Sequence, residues 1–127
     1  VIGLVLSTSA LRTSPTSPVV AAAIGSAATG RRYVCVPSTA LAEASTDRYD
    51  IGLHFLRLAA EIADQRLFIA PLHANAPAVG QAINASGEPM GIADGHTYYE
   101  AHSLSWPVLC AKNETGRFNE LDTITFD

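Results

Sequence analysis

The stretch Val1-Ile2-Gly3-Leu4-Val5-Leu6-Ser7-Thr8-Ser9 decides how this chain is read. An apolar run that stops in three small hydroxylated residues is the pattern of a strand buried on both faces of a parallel sheet, with polar side chains delivered at its C-terminal end. The run has no basic leader and breaks too early for a signal peptide, so residues 2–6 are expected to form a buried strand. Working outward, Ser14-Pro15-Thr16-Ser17-Pro18 reads as a turn in which Ser17 caps, and Pro18 opens, an Ala-rich helix ending near Gly30. A second short strand over 33–36 passes through Pro37-Ser38 into a helix carrying Leu41, Glu43 and Ala44.

Apolar residues at Ile51, Leu53, Leu56, Leu58, Ala59 and Ile62 fall near helical spacing and predict a long amphipathic helix over 51–64. Leu67-Phe68-Ile69-Ala70 is a third strand, followed by an Ala-rich helix over 75–85 that Ser86-Gly87-Glu88-Pro89 breaks. A further helix over about 91–103 carries Asp94, His96 and Tyr98. Pro107 introduces a fourth strand over 108–111, and Ile124-Thr125-Phe126 offers a fifth. Strands alternating with helices imply right-handed crossovers, hence an α/β fold of three layers: a central, mostly parallel sheet of four to five strands with helices on both faces. At 127 residues the chain has the length of one domain.

Composition narrows the function classes. The chain is 48% hydrophobic and 16% charged, too apolar for disorder and too interrupted for a membrane span. A formal charge of −4 excludes a general nucleic-acid coat, because such binding rests on surplus Lys and Arg. It leaves room for local contact with RNA through Arg12, Arg31, Arg32, Lys112 and Arg117, if the fold gathers them. Cys35 and Cys110 sit in apolar strands and are expected to be buried free thiols; with no secretory signal in the sequence, a cytoplasmic location is expected.

In parallel sheets ligands collect beyond the C-terminal ends of strands. Those ends supply Ser7, Thr8 and Ser9 after the first strand, Glu43 beyond the second, and Lys112, Asn113 and Glu114 after the fourth, with Asp94 joining from a helix start. Oxygen donors from separate regions of a chain suit Mg²⁺ or Mn²⁺, which can activate water for phosphodiester cleavage.

The order of these features resembles the PIN domains, a family that includes the VapC-type toxins of toxin–antitoxin pairs, over nearly the whole of residues 1–127. Val5-Leu6-Ser7-Thr8-Ser9-Ala10-Leu11 looks like the family's opening motif, with Ser7 where Asp is expected. Val36-Pro37-Ser38-Thr39-Ala40-Leu41-Ala42-Glu43 is similar to the second motif, and Ile92-Ala93-Asp94-Gly95-His96 to the third. Trp106 to Asn113, running on to Phe118, resembles the closing strand and turn. The resemblance implies a single PIN-like domain acting as an Mg²⁺- or Mn²⁺-dependent ribonuclease, with Glu43 and Asp94 as catalytic metal ligands and Ser7, Asn113 and Glu114 completing the set. An antitoxin protein, RNA and a homodimer are the implied partners.

Ser7 bears on the centre of that mechanism, since a hydroxyl is a poorer ligand than a carboxylate for a hard dication. Either the site is degenerate and the chain is a PIN-fold module that binds protein or RNA without cutting, or another carboxylate compensates. Asp47, one helical turn beyond Glu43, is the best substitute, while Glu114 could reach inward in place of the neutral Asn113. Asp94 also suits a helix N-terminus for purely structural reasons, and Ser9 is expected to end a strand or cap a turn. His96 and His102 are six residues apart, which is wrong for a helical zinc pair, and Tyr98, Tyr99 and Trp106 are expected to be packing residues. The sequence lacks the Gly-rich loop of a dinucleotide enzyme and has no Asp at the end of its third strand, as a receiver would need.

Overall fold

The computed structural model describes residues 2–87 and 89–126; Val1, Asp127 and the Glu88 of the proposed helix break lie outside the described residues. Five strands, β1 (Gly3–Leu6), β2 (Tyr33–Pro37), β3 (Leu67–Ala70), β4 (Val108–Ala111) and β5 (Thr123–Phe126), form one sheet in the order β3-β2-β1-β4-β5. Every pairing is parallel. The α/β architecture read from the sequence therefore stands, with the terminal Thr123–Phe126 run completing the sheet as its fifth strand.

Alternation along the strands separates two apolar layers, because successive side chains point to opposite faces. Leu4, Leu6, Val34, Val36 and Leu67 pack with α2 (Pro18–Ala28) and α4 (Tyr49–Glu61), through Val20, Ala23, Ile51 and Phe55. Val5, Cys35, Val108 and Cys110 face the other way and pack with Ala101 of α6 (Ile92–Leu104), Phe118 and Trp106. Burial of the strand residues on both sides is what lets β1 consist of apolar residues without polar alternation. Both cysteines are buried and free, and burial pushes the Cys110 thiol up to about 11 and that of Cys35 higher still. Charges on Glu114 and Asp94 add to the rise at Cys110, and that on Glu100 adds to the rise at Cys35. Neither thiol is poised for nucleophilic or redox chemistry.

Local signals set the helix boundaries. Ser17 caps α2, its hydroxyl accepting from Val20 N at 3.3 Å, with Pro18 in the first turn. Two more helices, α3 (Ser38–Ala44) and α5 (Ala76–Ser86), follow β2 and β3, the latter ending on Gly87 in the left-handed region at φ 70. Gly95 permits α5 and α6 to meet: a Cβ there would overlap the side chain of Ile83.

Two expectations need correcting. The residue pattern predicts no helix between Ser7 and the Ser14–Pro18 turn, yet α1 (Thr8–Thr13) begins directly at the end of β1, because Ser7 acts as its N-cap rather than only closing the strand. The helix bearing Glu43 ends at Ala44, capped by Ser45, so it does not continue to Asp47. No helix among the described residues is long and apolar enough to cross a membrane.

Candidate functional site

Beyond the C-terminal edge of β1 and β4 lies a cavity of about 350 Å³ lined by Thr8, Ser9, Arg12 and Thr13 of α1, Glu43 of α3, Asp94 of α6, and Glu114 and Arg117. The last two come from the 3₁₀ turn Lys112–Phe118 that follows β4. Each element brings its residue for a local reason. Ser7 turns β1 into α1, Pro37 ends β2 so that α3 starts on Ser38, and Asp94 occupies the first turn of α6, where a carboxylate meets free amides and the positive end of the helix dipole.

Of the residues singled out from the sequence, Glu43, Asp94 and Glu114 share this cavity. Ser7 lies beneath it, 1% exposed, and its hydroxyl is committed to the scaffold. Ser7 Oγ donates to Leu109 O at 2.9 Å, accepts from Ala10 N at 3.3 Å, and lies 3.0 Å from Ser9 Oγ. Asn113 is exposed and does not line the cavity. Asp47 also stands apart, exposed and 3.6 Å from Arg12 Nε, since α3 stops short of it. Ser9 does more than the strand-ending role expected of it: it donates through a short hydrogen bond to Glu114 Oε1 and accepts from Ala111 N at 3.2 Å. Glu114 is thereby anchored to the start of the first helix.

Ser7 thus holds the β1–α1 corner against β4. Ser7→Ala removes one cap and one buried hydrogen bond and should cost about 1–2 kcal/mol in urea unfolding. Ser7→Asp should cost more, because a carboxylate buried at this point has no proton to give Leu109 O and is pressed against that carbonyl. A Ser7→Asp protein as stable as the parent would contradict this reading.

Arg117 links the acids. Its Nη1 donates to Asp94 Oδ2 at 3.2 Å and to Glu114 Oε2 at 3.0 Å. Arg12 Nη2 donates to Glu43 O at 3.0 Å. Of the five basic residues considered from the sequence, Arg12 and Arg117 line the cavity. In the sequence Arg117 stands among those five scattered basic residues, three positions beyond Glu114, and nothing there pairs it with Asp94. Burial is the main cause holding the Asp94 carboxyl above its ordinary range, opposed by the Arg117 charge and aided by the charges of Glu114 and Glu43.

The donor chemistry suits a hard divalent cation: three carboxylates and the hydroxyl of Thr8, which is buried, lines the cavity and has no hydrogen-bond partner among the described residues. In the observed arrangement no three His, Cys, Asp or Glu side chains among the described residues converge on one point, and Arg117 lies between two of the acids.

A buried polar bridge joins the two helices that carry Glu43 and Asp94. His96, fully buried in α6, has Nδ1 2.8 Å from Thr39 Oγ1 in α3 and Nε2 3.1 Å from Glu100 Oε2. Burial lowers the affinity of the His96 ring for a second proton, against the pull of Glu100. A neutral ring satisfies both neighbours, donating from Nε2 to the carboxylate and accepting the Thr39 proton at Nδ1. His96 is therefore a core histidine with a specific task, which its isolation in the sequence concealed.

Comparison with known proteins adds the fold relationship. Over 98% of this chain and 99% of the other, the structure is similar to VapBC2 from Rickettsia felis bound to a DNA fragment from its promoter, with 15% identity and a TM-score of 0.67. FitAcB from Neisseria gonorrhoeae is similar over 96% of each chain, with 18% identity and a TM-score of 0.53. No protein-family model and no curated protein matches the sequence. At these identities the likeness is one of fold.

Proposed function

We propose that this chain is a PIN-like endoribonuclease of the toxin–antitoxin kind, dependent on Mg²⁺ or Mn²⁺, in which Glu114 takes the place of the acid missing at Ser7. The observation that carries the reading is that Glu43, Asp94 and Glu114, from three separate regions of the sequence, line one cavity together with the buried Thr8 hydroxyl. Glu43, Asp94 and Glu114 would hold the ion, which when bound supplies an activated water for phosphodiester cleavage. Ser9 fixes the Glu114 carboxylate, and Arg117 is placed to offer its guanidinium to a phosphate once RNA competes with the two acids. Support for the toxin–antitoxin context comes from the resemblance of the sequence motifs to VapC-type toxins and from the fold likeness to VapBC2 and FitAcB. By the same analogy the chain is a single cytoplasmic domain that pairs with an antitoxin protein and with a second copy of itself.

A second reading has its own observation. Arg117 already neutralises Asp94 and Glu114, and Ser7 is consumed by the scaffold, as befits a PIN-fold module that binds a protein or RNA partner without cutting. Incubating the protein with a mixed RNA pool, in Mn²⁺ and in EDTA, decides between them. Cleavage in Mn²⁺ alone supports the nuclease, and intact RNA in both favours the binding module.

A further inference from the structure

The wall that Arg117 forms has a second side. A cavity of about 330 Å³ opens there between α5, α6 and the segment after the 3₁₀ turn, lined by Tyr98, Tyr99, His102, Arg117, Asn119 and Glu120 among others. Arg117 therefore borders both this cavity and the carboxylate cavity. The Tyr98 and His102 rings lie within 6° of parallel, with centroids 6.3 Å apart, and Tyr98 is held from below by the apolar layer around Trp106 and Phe118. Asn119 and Glu120 add an amide and a carboxylate to the lining, both residues exposed, with Glu120 in the left-handed region at φ 72.

From this arrangement we infer that the cavity is a nucleobase subsite selective for guanine, next to the phosphodiester bound at the carboxylates; in that placement it rests on the ribonuclease reading. A flat face beside polar edge groups is how single-stranded RNA bases are gripped, by stacking on aromatic rings and hydrogen bonding along the Watson–Crick edge. A carboxylate accepts two hydrogen bonds side by side, and guanine alone among the four bases offers adjacent N1–H and N2–H donors. The Asn119 amide can donate to the neighbouring O6. Adenine and cytosine put a ring acceptor against Glu120, and uracil offers one donor between two acceptors. Arg117 on the shared wall is suited to the phosphate that joins this nucleotide to the next.

The test uses the whole protein in EDTA, so that binding is read without cleavage, and titrates GMP, AMP, CMP and UMP while following the ring resonances of Tyr98 and His102 by NMR. GMP should shift them saturably at concentrations at least about tenfold below the other three, as expected for hydrogen bonds to a charged acceptor. Glu120→Gln, at an exposed position, should bring GMP down to the level of the others while leaving the stacking in place. Four nucleotides that behave alike, shifts absent from these rings, or a preference that survives Glu120→Gln would each overturn the inference. If GMP binds here as described but the protein leaves RNA intact in Mn²⁺, the ribonuclease reading falls and the base subsite stands. If RNA is cut and these rings ignore GMP, the subsite falls alone.

Discussion

Asp94→Asn should lower Mn²⁺-dependent RNA cleavage by more than about a hundredfold while leaving the protein at least as stable at neutral pH as the parent. The first half follows from the proposed metal site, in which Asp94 is one of three charged ligands, since changing even a residue that only supports a metal ligand costs about 10–100-fold. The second half follows from the direction in which Asp94 is shifted. Burial, with Glu114 and Glu43 nearby, raises its carboxyl above the ordinary range despite Arg117, so the folded protein holds that proton more tightly than the unfolded chain. Stability carried by this group is then full below the unfolded carboxylate range and is lost as pH rises through the raised folded value. Removing the charge removes the penalty. Urea midpoints for the metal-free proteins should favour Asp94→Asn at pH 7, and the advantage should disappear near pH 3, where the parental carboxyl is protonated in both states. Loss of cleavage together with a large loss of stability would assign Asp94 to the scaffold instead.

The second large effect is expected at His96. His96→Ala should cost about 3–5 kcal/mol in urea unfolding, because it leaves the Glu100 carboxylate, 9% exposed, without its buried partner and opens a void between α3 and α6. Adding Glu100→Gln should return part of that loss, since the unpaired charge is then gone and only the cavity and the Thr39 hydroxyl remain to be accommodated. A single variant within about 1 kcal/mol of the parent would mean that the bridge is solvated or dispensable. Thr39 lies one helical turn before Glu43, and His96 two residues after Asp94, so the same substitution loosens the spacing between two of the three acids.

Much of the frame was legible because short apolar strands in a two-sided sheet leave little ambiguity. Leu67–Ala70 and Val108–Ala111 occupy the residues expected of them, and α2 starts where Ser17 and Pro18 place it. The first helix was not legible, since Ser7-Thr8-Ser9 ends a strand and begins a helix with the same residues, and hydroxyl side chains serve both purposes. Glu43, Asp94 and Glu114 were picked out by the places where strands and helices change over. Asp47 was misjudged because the extent of α3 past Glu43 depends on a cap at Ser45 that periodicity does not reveal. Arg117, His96 and the orphaned Thr8 hydroxyl depend on contacts between residues distant in the chain, such as the 23 positions separating Asp94 from Arg117, and no local pattern encodes those.

The strand order carries a consequence for synthesis. β1 sits in the middle of the sheet, yet it is made before either neighbour, and its second partner, β4, begins only at Val108. A nascent chain can assemble β1, β2 and β3 early, but one flank of β1, buried along its whole length in the finished fold, then stays unpaired for the time the ribosome takes to add some hundred residues. An open parallel edge of this kind is a template for other chains. The interval before β4 arrives is therefore when the chain is most exposed to misassembly, and a companion that shields that flank during translation would protect the yield of folded protein more than any adjustment to the finished surface.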